Sequence, residues 1–171
     1  MGKLEIRDLC IAPDEKIYLR YEGKDPWDVV GKITSSIRPF FHVSASGTNN
    51  TRINWDISGD PITFFAQWWV KKVFSRFSVM RLFLKVQGEQ KKTTGMGKFS
   101  MQLRPRLETN VQGFSLLLKP LWYMYSFLFY NRVRRKYVEK CREYTESFRN
   151  EIKEHFSLEP GLSPAPRTAV R

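Results

Sequence analysis

Histidine and cysteine are scarce in this sequence, with two of each among 171 residues. Neither His42 nor His155 has cysteine or acidic neighbours at metal-ligand spacing, so we interpret both as structural or solvated. No serine lies in a nucleophile elbow, and residues 95–98 (GMGK) lack the earlier glycine and the following Ser or Thr of a phosphate loop. The sequence therefore predicts no catalytic site, no metal and no cofactor.

An apolar run of the kind found in signal peptides is missing from the first ten residues, which carry charges instead. Cys10 and Cys141 lie far apart, and nothing in the sequence demands that they pair. Cys141 falls on the apolar stripe of a predicted helix and is interpreted as a small buried hydrophobic residue. We expect a cytoplasmic protein, either free or associated with a membrane.

The composition is that of a folded protein, since 42% of the residues are hydrophobic and 15% are aromatic. The length suits one domain with a substantial core. We predict an N-terminal extension over residues 1–15, a single domain over residues 16–157, and a disordered tail over residues 158–171.

The net charge of +12 is concentrated in one part of the chain. Residues 61–111 hold ten Lys and Arg against two Asp and Glu, interleaved with Phe and Trp. Such a segment is typical of a surface that meets a polyanion or lipid headgroups. An ordinary solvated basic face remains the alternative interpretation.

Hydrophobic periodicity predicts an α+β fold. Alternation over residues 16–22 and 52–58 indicates strands, and Asp25-Pro26 is expected to open a helix that Pro39 ends. Residues 88–98 are expected to connect two strands of a hairpin, and Pro105 suggests an edge strand or the end of pairing. The expected fold is an antiparallel β-meander with a short helix after the first strand and a long C-terminal helix packed on the sheet.

Residues 62–77 can be interpreted as either a helix or strands. The abundance of Phe, Trp and Val favours two strands, over residues 62–73 and 77–87, with a bend near Ser75-Arg76. Strand alternation then places rings and cations together on one outward face. The candidate stacking residues are Phe65, Trp69 and Phe83, and the candidate anion-binding residues are Lys71, Lys72, Arg76, Arg81, Lys85, Lys91, Lys92, Lys98 and Arg104.

That face could instead be covered by a second subunit, giving a homodimer, or by the C-terminal tract. The tract over residues 114–130 is almost wholly apolar, contains Lys119-Pro120, and is followed by a basic cluster. It is too short and interrupted to span a bilayer, but it could lie on one, bury against the sheet or contact a partner protein. The candidate membrane or partner contacts are Trp122, Tyr123, Arg132, Arg134 and Arg135.

The order of strand, helix, meander and long C-terminal helix over roughly residues 16–157 resembles the helix-grip layout of START and Bet v 1-like proteins. The resemblance implies an apolar ligand between the long helix and the sheet, and it implies no catalytic residues. Large residues are expected to point inward here and could fill such a cavity: Trp55, Trp68, Met80, Leu82, Met101, Tyr137 and Tyr144.

Two functions follow from these patterns. The first is a non-catalytic binding module that contacts RNA or a ribonucleoprotein through the basic aromatic face. The alternative is a lipid-binding, apolar-ligand-binding or peripheral membrane protein that uses the aromatic tract on an anionic membrane surface.

Overall fold

The computed structural model describes residues 2–114, 119–125, 127 and 130–158. These residues form six strands, three α-helices and a short 3-10 turn at Ala45–Gly47. The strands are β1 (Gly2–Leu9), β2 (Ile17–Lys24), β3 (Thr48–Asp56), β4 (Ile62–Val73), β5 (Ser78–Gln90) and β6 (Met96–Phe114). The helices are α1 (Asp28–Phe41), α2 (Lys119–Tyr125) and α3 (Asn131–His155).

All six strands belong to one antiparallel sheet, in the order β1-β6-β5-β4-β3, with β2 also paired to β6. The strands β3 to β6 form the predicted meander, and the two strands expected over residues 62–73 and 77–87 are β4 and β5, joined by a turn at residues 74–77. Together with α1 after β2 and α3 at the C-terminal end, the sheet confirms the predicted α+β fold.

One edge of β6 is shared by two strands, because β1 pairs with residues 106–114 and β2 pairs with residues 96–103. The sequence analysis predicted no strand at β1. Pro105 lies within this central strand, so the prediction of an edge strand there was wrong, whereas the pairing of β6 with β2 does end just before it. Residues 104–105 have no partner in β1 or β2, and this break is where a residue without an N–H is best tolerated.

The hydrophobic core lies on one face of the sheet, under α1 and α3. Alternate residues of β5, including Met80, Leu82 and Leu84, are fully buried there, as the alternation predicted. From α3, Phe148 and Ile152 enter the same core. We call this side the inner face and the opposite side the outer face.

Helix α1 begins later than predicted and ends later as well. Asp25 adopts a left-handed conformation rather than capping the helix, and Trp27 occupies the N-cap position without a side-chain cap. Pro39 lies within the last turn, and the helix ends at Phe41 with His42 in the left-handed conformation. Pro39 has no N–H to donate to the carbonyl four residues earlier, so the helix loses a hydrogen bond only two residues before it ends.

Strand β3 is an exposed edge strand. Ile53 and Ile57 share the side of Trp55 in the alternation of residues 52–58, but they are half or more exposed because β3 lies at the edge of the sheet. Trp55 is the partial exception, since its ring centroid lies 3.9 Å from that of Trp27.

The two cysteines form a disulfide between Cys10, at the break between β1 and β2, and Cys141 in the middle of α3. Both residues are buried. The expectation that Cys141 is only a small hydrophobic residue was therefore wrong, because the fold brings together two residues separated by 131 positions.

Candidate functional site

The outer face carries most of the residues predicted for binding, aligned in rows across the sheet. Cross-strand pairing places Lys71, Arg81 and Arg106 side by side in one row. The next row contains Trp69, Phe83 and Arg104, which also pair directly. Since alternate residues of a strand share a face, the predicted clustering of rings and cations is present.

Seven cations occupy four adjacent rows of the outer face, and no Asp or Glu occupies a strand position in these rows. The cations are Arg20, Arg52, Lys71, Arg81, Lys85, Arg104 and Arg106. Arg81 pairs with Glu108 at 2.6 Å, and Arg104 pairs with Glu15 at 2.8 Å. The other five have no carboxylate partner in the described part of the chain.

Sequence reasoning missed Arg20, Arg52 and Arg106 as members of this surface. Arg20 falls within the strand predicted from residues 16–22, but no sequence signal showed that this strand lies beside β6. Arg106 follows Arg104 at a spacing of two, and this spacing could have identified it.

The three predicted stacking rings differ in accessibility. Phe83 is 40% exposed, whereas Phe65 and Trp69 are half-buried. The Lys85 Nζ atom lies 5.1 Å from the Phe65 ring centroid, and the Arg52 guanidinium carbon lies 5.8 Å from it. Phe65 is therefore already engaged by two cations, and Trp69 with Phe83 form the more available aromatic pair.

Several predicted cations lie elsewhere. Lys72 faces the inner side, where its Nζ donates to the Phe41 carbonyl and lies 4.6 Å from the Tyr144 ring centroid. Lys92 Nζ donates to the Ile57 carbonyl at 2.7 Å. Arg76 is exposed in the β4–β5 turn and Lys91 in the β5–β6 turn, so neither extends the rows described above.

One end of the outer face is mixed in charge. A groove of about 830 Å³ there is lined by residues that include Arg20, Glu22, Lys98 and Glu89. Lys98 is paired with Glu89 at 3.1 Å. At the end of β3, hydrogen bonds from the Ser58 hydroxyl and backbone N–H hold the pKa of Asp56 below its ordinary value, so this acidic border stays ionised.

The second candidate surface is the apolar segment before α3. Five of its large side chains are between 49% and 75% exposed: Leu121, Tyr123, Met124, Tyr125 and Phe127. The side chain of Trp122 lies outside the described residues. We call these five exposed residues, with the exposed Arg132, Arg135 and Lys136, the docking segment.

The start of α3 is firmly attached to the sheet. Tyr130 is buried, and its hydroxyl lies 2.6 Å from the Ser78 hydroxyl. Arg134 pairs with Asp8 of β1 at 3.3 Å, and Tyr137 stacks on Phe74. Arg134 therefore has a carboxylate partner, whereas the neighbouring Arg132 and Arg135 are exposed and have none within the described ranges.

The space between α3 and the sheet is filled with large side chains around Phe148. Trp68 and Phe41 are buried, and the Phe41 and Phe148 ring centroids lie 5.2 Å apart. His155, at the C-terminal end of α3, pairs with Asp28 of α1 at 2.7 Å. Among the described residues no group of three or more His, Cys, Asp or Glu is arranged to hold a metal ion.

Of the helices in the described ranges, none combines the length and apolarity needed to cross a bilayer.

The fold and these surfaces define the protein as an α+β module in which α1 and α3 pack on the inner face of an antiparallel sheet. No protein-family model matches the chain, and no curated protein matches it significantly. Among solved structures, it is similar to the protein of unknown function SA2116 from Staphylococcus aureus, with 12% identity, a TM-score of 0.29, and coverage of 86% of this chain and 97% of that one.

It is also similar to an uncharacterized protein from Rhizobium leguminosarum, with 8% identity, a TM-score of 0.19, and coverage of 84% of this chain and 99% of that one. The Mll3558 protein from Rhizobium loti gives 8% identity, a TM-score of 0.20, and coverage of 86% and 99%. At these TM-scores the likeness carries no functional argument, and the helix-grip resemblance stays a prediction.

Proposed function

We propose that this protein binds the surface of anionic membranes through the docking segment. The observation that carries the proposal is the exposure of five large apolar side chains within residues 121–127. Proteins that stay free in solution rarely expose so many large apolar side chains within one short segment.

The composition of the docking segment suits the boundary between headgroups and acyl chains. Tyr123 and Tyr125 combine an apolar ring with a polar hydroxyl, and such residues concentrate at membrane interfaces. Leu121, Met124 and Phe127 supply apolar surface that would leave water. The segment would lie on the bilayer, with α3 extending from it.

Basic residues next to the apolar patch would select anionic lipids. Arg132, Arg135 and Lys136 are exposed and have no ion-pair partner among the described residues. Each Lys or Arg near an anionic surface contributes about 1 kcal/mol, so three contribute about 3 kcal/mol. We therefore expect neutral vesicles to bind about 100-fold more weakly than anionic ones.

The first test is flotation with phosphatidylcholine vesicles, with and without phosphatidylglycerol. We expect the protein to float only with the anionic vesicles and to dissociate as salt rises. Protein that stays at the bottom of the gradient with both vesicles at low salt would exclude the proposal.

Matched variants locate the contact. Met124→Ser/Phe127→Ser should lose flotation, whereas Ile53→Ser/Ile57→Ser removes two apolar side chains that are also at least half exposed, one in β3 and one just after it, and should float normally. If both double variants float like the unmodified protein, the docking segment is not the membrane contact.

A second pair of variants tests the charge. Arg132→Gln/Arg135→Gln should weaken binding to anionic vesicles about 30-fold, from about 1 kcal/mol for each cation. Lys24→Gln/Arg38→Gln changes the net charge equally at exposed positions away from the docking segment, so its effect should be small.

The apolar-carrier version of this function has less support, because Trp68, Phe41 and Phe148 occupy the space between α3 and the sheet. The cellular location stays a prediction. A buried disulfide is typical of oxidising compartments and of intracellular proteins in hyperthermophiles, so its presence weakens the expectation of an ordinary reducing cytoplasm. A homodimer likewise stays a prediction.

A further inference from the structure

We propose that the outer face binds single-stranded nucleic acid, independently of the docking segment. The surface consists of the four rows that hold the seven cations and the ring pair Trp69 and Phe83. Helices α1 and α3 pack on the inner face, so neither of them covers it.

The charge arrangement points to a ligand with several phosphates. Lys71, Arg81 and Arg106 lie directly opposite one another on three neighbouring strands. Like charges in such pairs destabilise a sheet, and Glu108 neutralises only the middle member. A chain of phosphates would neutralise Lys71 and Arg106 and remove this repulsion.

Arg104 supports the same conclusion from the adjacent row. One of its terminal nitrogens donates to Glu15, but its Nε–H is buried and has no hydrogen-bond partner. The Arg104 side chain as a whole is 35% exposed, so its outer N–H groups can also contact a phosphate at the surface.

The rings favour nucleic acid over a simple anion. Trp69 and Phe83 are a direct cross-strand pair next to the row of three cations. Exposed rings beside cations allow bases to stack while phosphates are neutralised, and this requires bases that are not paired in a duplex.

Neutral polar side chains fill most of the other positions of these rows, beside Phe65 and Tyr18. They can exchange hydrogen bonds with base edges and offer little apolar surface to a bilayer: Asn54, Gln67, Gln87, Ser100 and Gln102. A second copy of the chain placed on this face would bring cations against cations, which disfavours a homodimer through it.

The test measures binding of fluorescent oligouridylate by anisotropy at several salt concentrations. We expect the affinity to fall steeply with salt and to exceed that for a duplex RNA of equal length. Equal affinity for the duplex, or a salt-independent affinity, would overturn the proposal.

Lys71→Gln/Arg106→Gln separates this site from general positive charge. The double variant should bind at least tenfold more weakly, and its salt slope should fall by about 1.4, from about 0.7 for each lost phosphate contact. Arg38→Gln/Lys140→Gln makes the same charge change at exposed positions on α1 and α3 and should keep the slope. Equal behaviour of the two variants would contradict the site.

Phe83→Ser tests stacking. Its affinity should fall about tenfold with an unchanged salt slope, because a ring contact releases no counterions. An unchanged affinity would overturn the role of the ring. Polyglutamate that competes as well as oligouridylate would identify an acidic protein as the partner instead. Thermal unfolding of each variant checks that the fold is retained.

Discussion

The Tyr130 hydroxyl lies 2.6 Å from the Ser78 hydroxyl, and the latter lies 3.2 Å from the Thr109 hydroxyl. All three residues are buried. The contact joins Tyr130, the residue before α3, to Ser78, the first residue of β5, at the end of the β4–β5 turn. It fixes the position from which the docking segment extends.

Tyr130→Phe should therefore reduce the free energy of unfolding by about 1–3 kcal/mol, because it leaves buried hydroxyls short of a partner. Urea unfolding followed by tryptophan fluorescence measures the loss. Tyr18→Phe removes a hydroxyl from an exposed tyrosine and should have a negligible effect. Equal effects would mean that the buried hydroxyl cluster does not stabilise the fold.

Phe148 and Phe127 form a second matched pair, since one is fully buried in the core and the other is 75% exposed. Phe148→Ala should cost about 3–5 kcal/mol, through lost burial and the cavity left behind. Phe127→Ala should leave the denaturation midpoint nearly unchanged. A large loss for Phe127→Ala would show that this ring is packed within the protein rather than offered to a ligand.

Gly88 in β5 is the cross-strand partner of Phe64 in β4, whose ring lies against it. A Cβ atom at Gly88 would come within 2.5 Å of the Lys98 carbonyl oxygen and would also clash with that ring. Gly88→Ala should therefore destabilise the protein by about 1–3 kcal/mol. Gly59→Ala, where the nearest atom is 3.6 Å away, is the control and should be nearly neutral in thermal unfolding.

Removal of the disulfide should cost about 2–5 kcal/mol. We expect Cys10→Ser/Cys141→Ser and the reduced unmodified protein to unfold at similar urea concentrations, both below that of the oxidised protein. The double variant should not respond to reductant. Equal stability with and without reductant would show that the bond contributes nothing.

Local sequence patterns predicted the meander well, because strands buried on one face impose strict alternation. Met80, Leu82 and Leu84 are the clearest example, and the bend near Ser75 was also placed correctly. Strand β1 was missed because its alternation is short and largely charged. Its stability depends on pairing with β6, which no local pattern reveals.

In the candidate surfaces too, local patterns predicted some neighbours, and the rest depend on contacts between distant parts of the chain. Alternation identified Lys71, Arg81 and Arg104 as neighbours, whereas Arg20 joins them only because β2 pairs with β6. Arg134 resembles Arg132 and Arg135 in sequence, but its contact with Asp8 depends on how α3 crosses the sheet. Periodicity therefore could not predict which side chains are exposed or which distant elements contact each other.

The disulfide also closes residues 10–141 into a covalent ring. Strand β1 and the second half of α3 lie outside this ring. The β5–β6 turn lies within the ring and presents the exposed Lys91 to solvent. A protease that cuts the chain there would therefore leave one molecule, whose two fragments separate only when the disulfide is reduced.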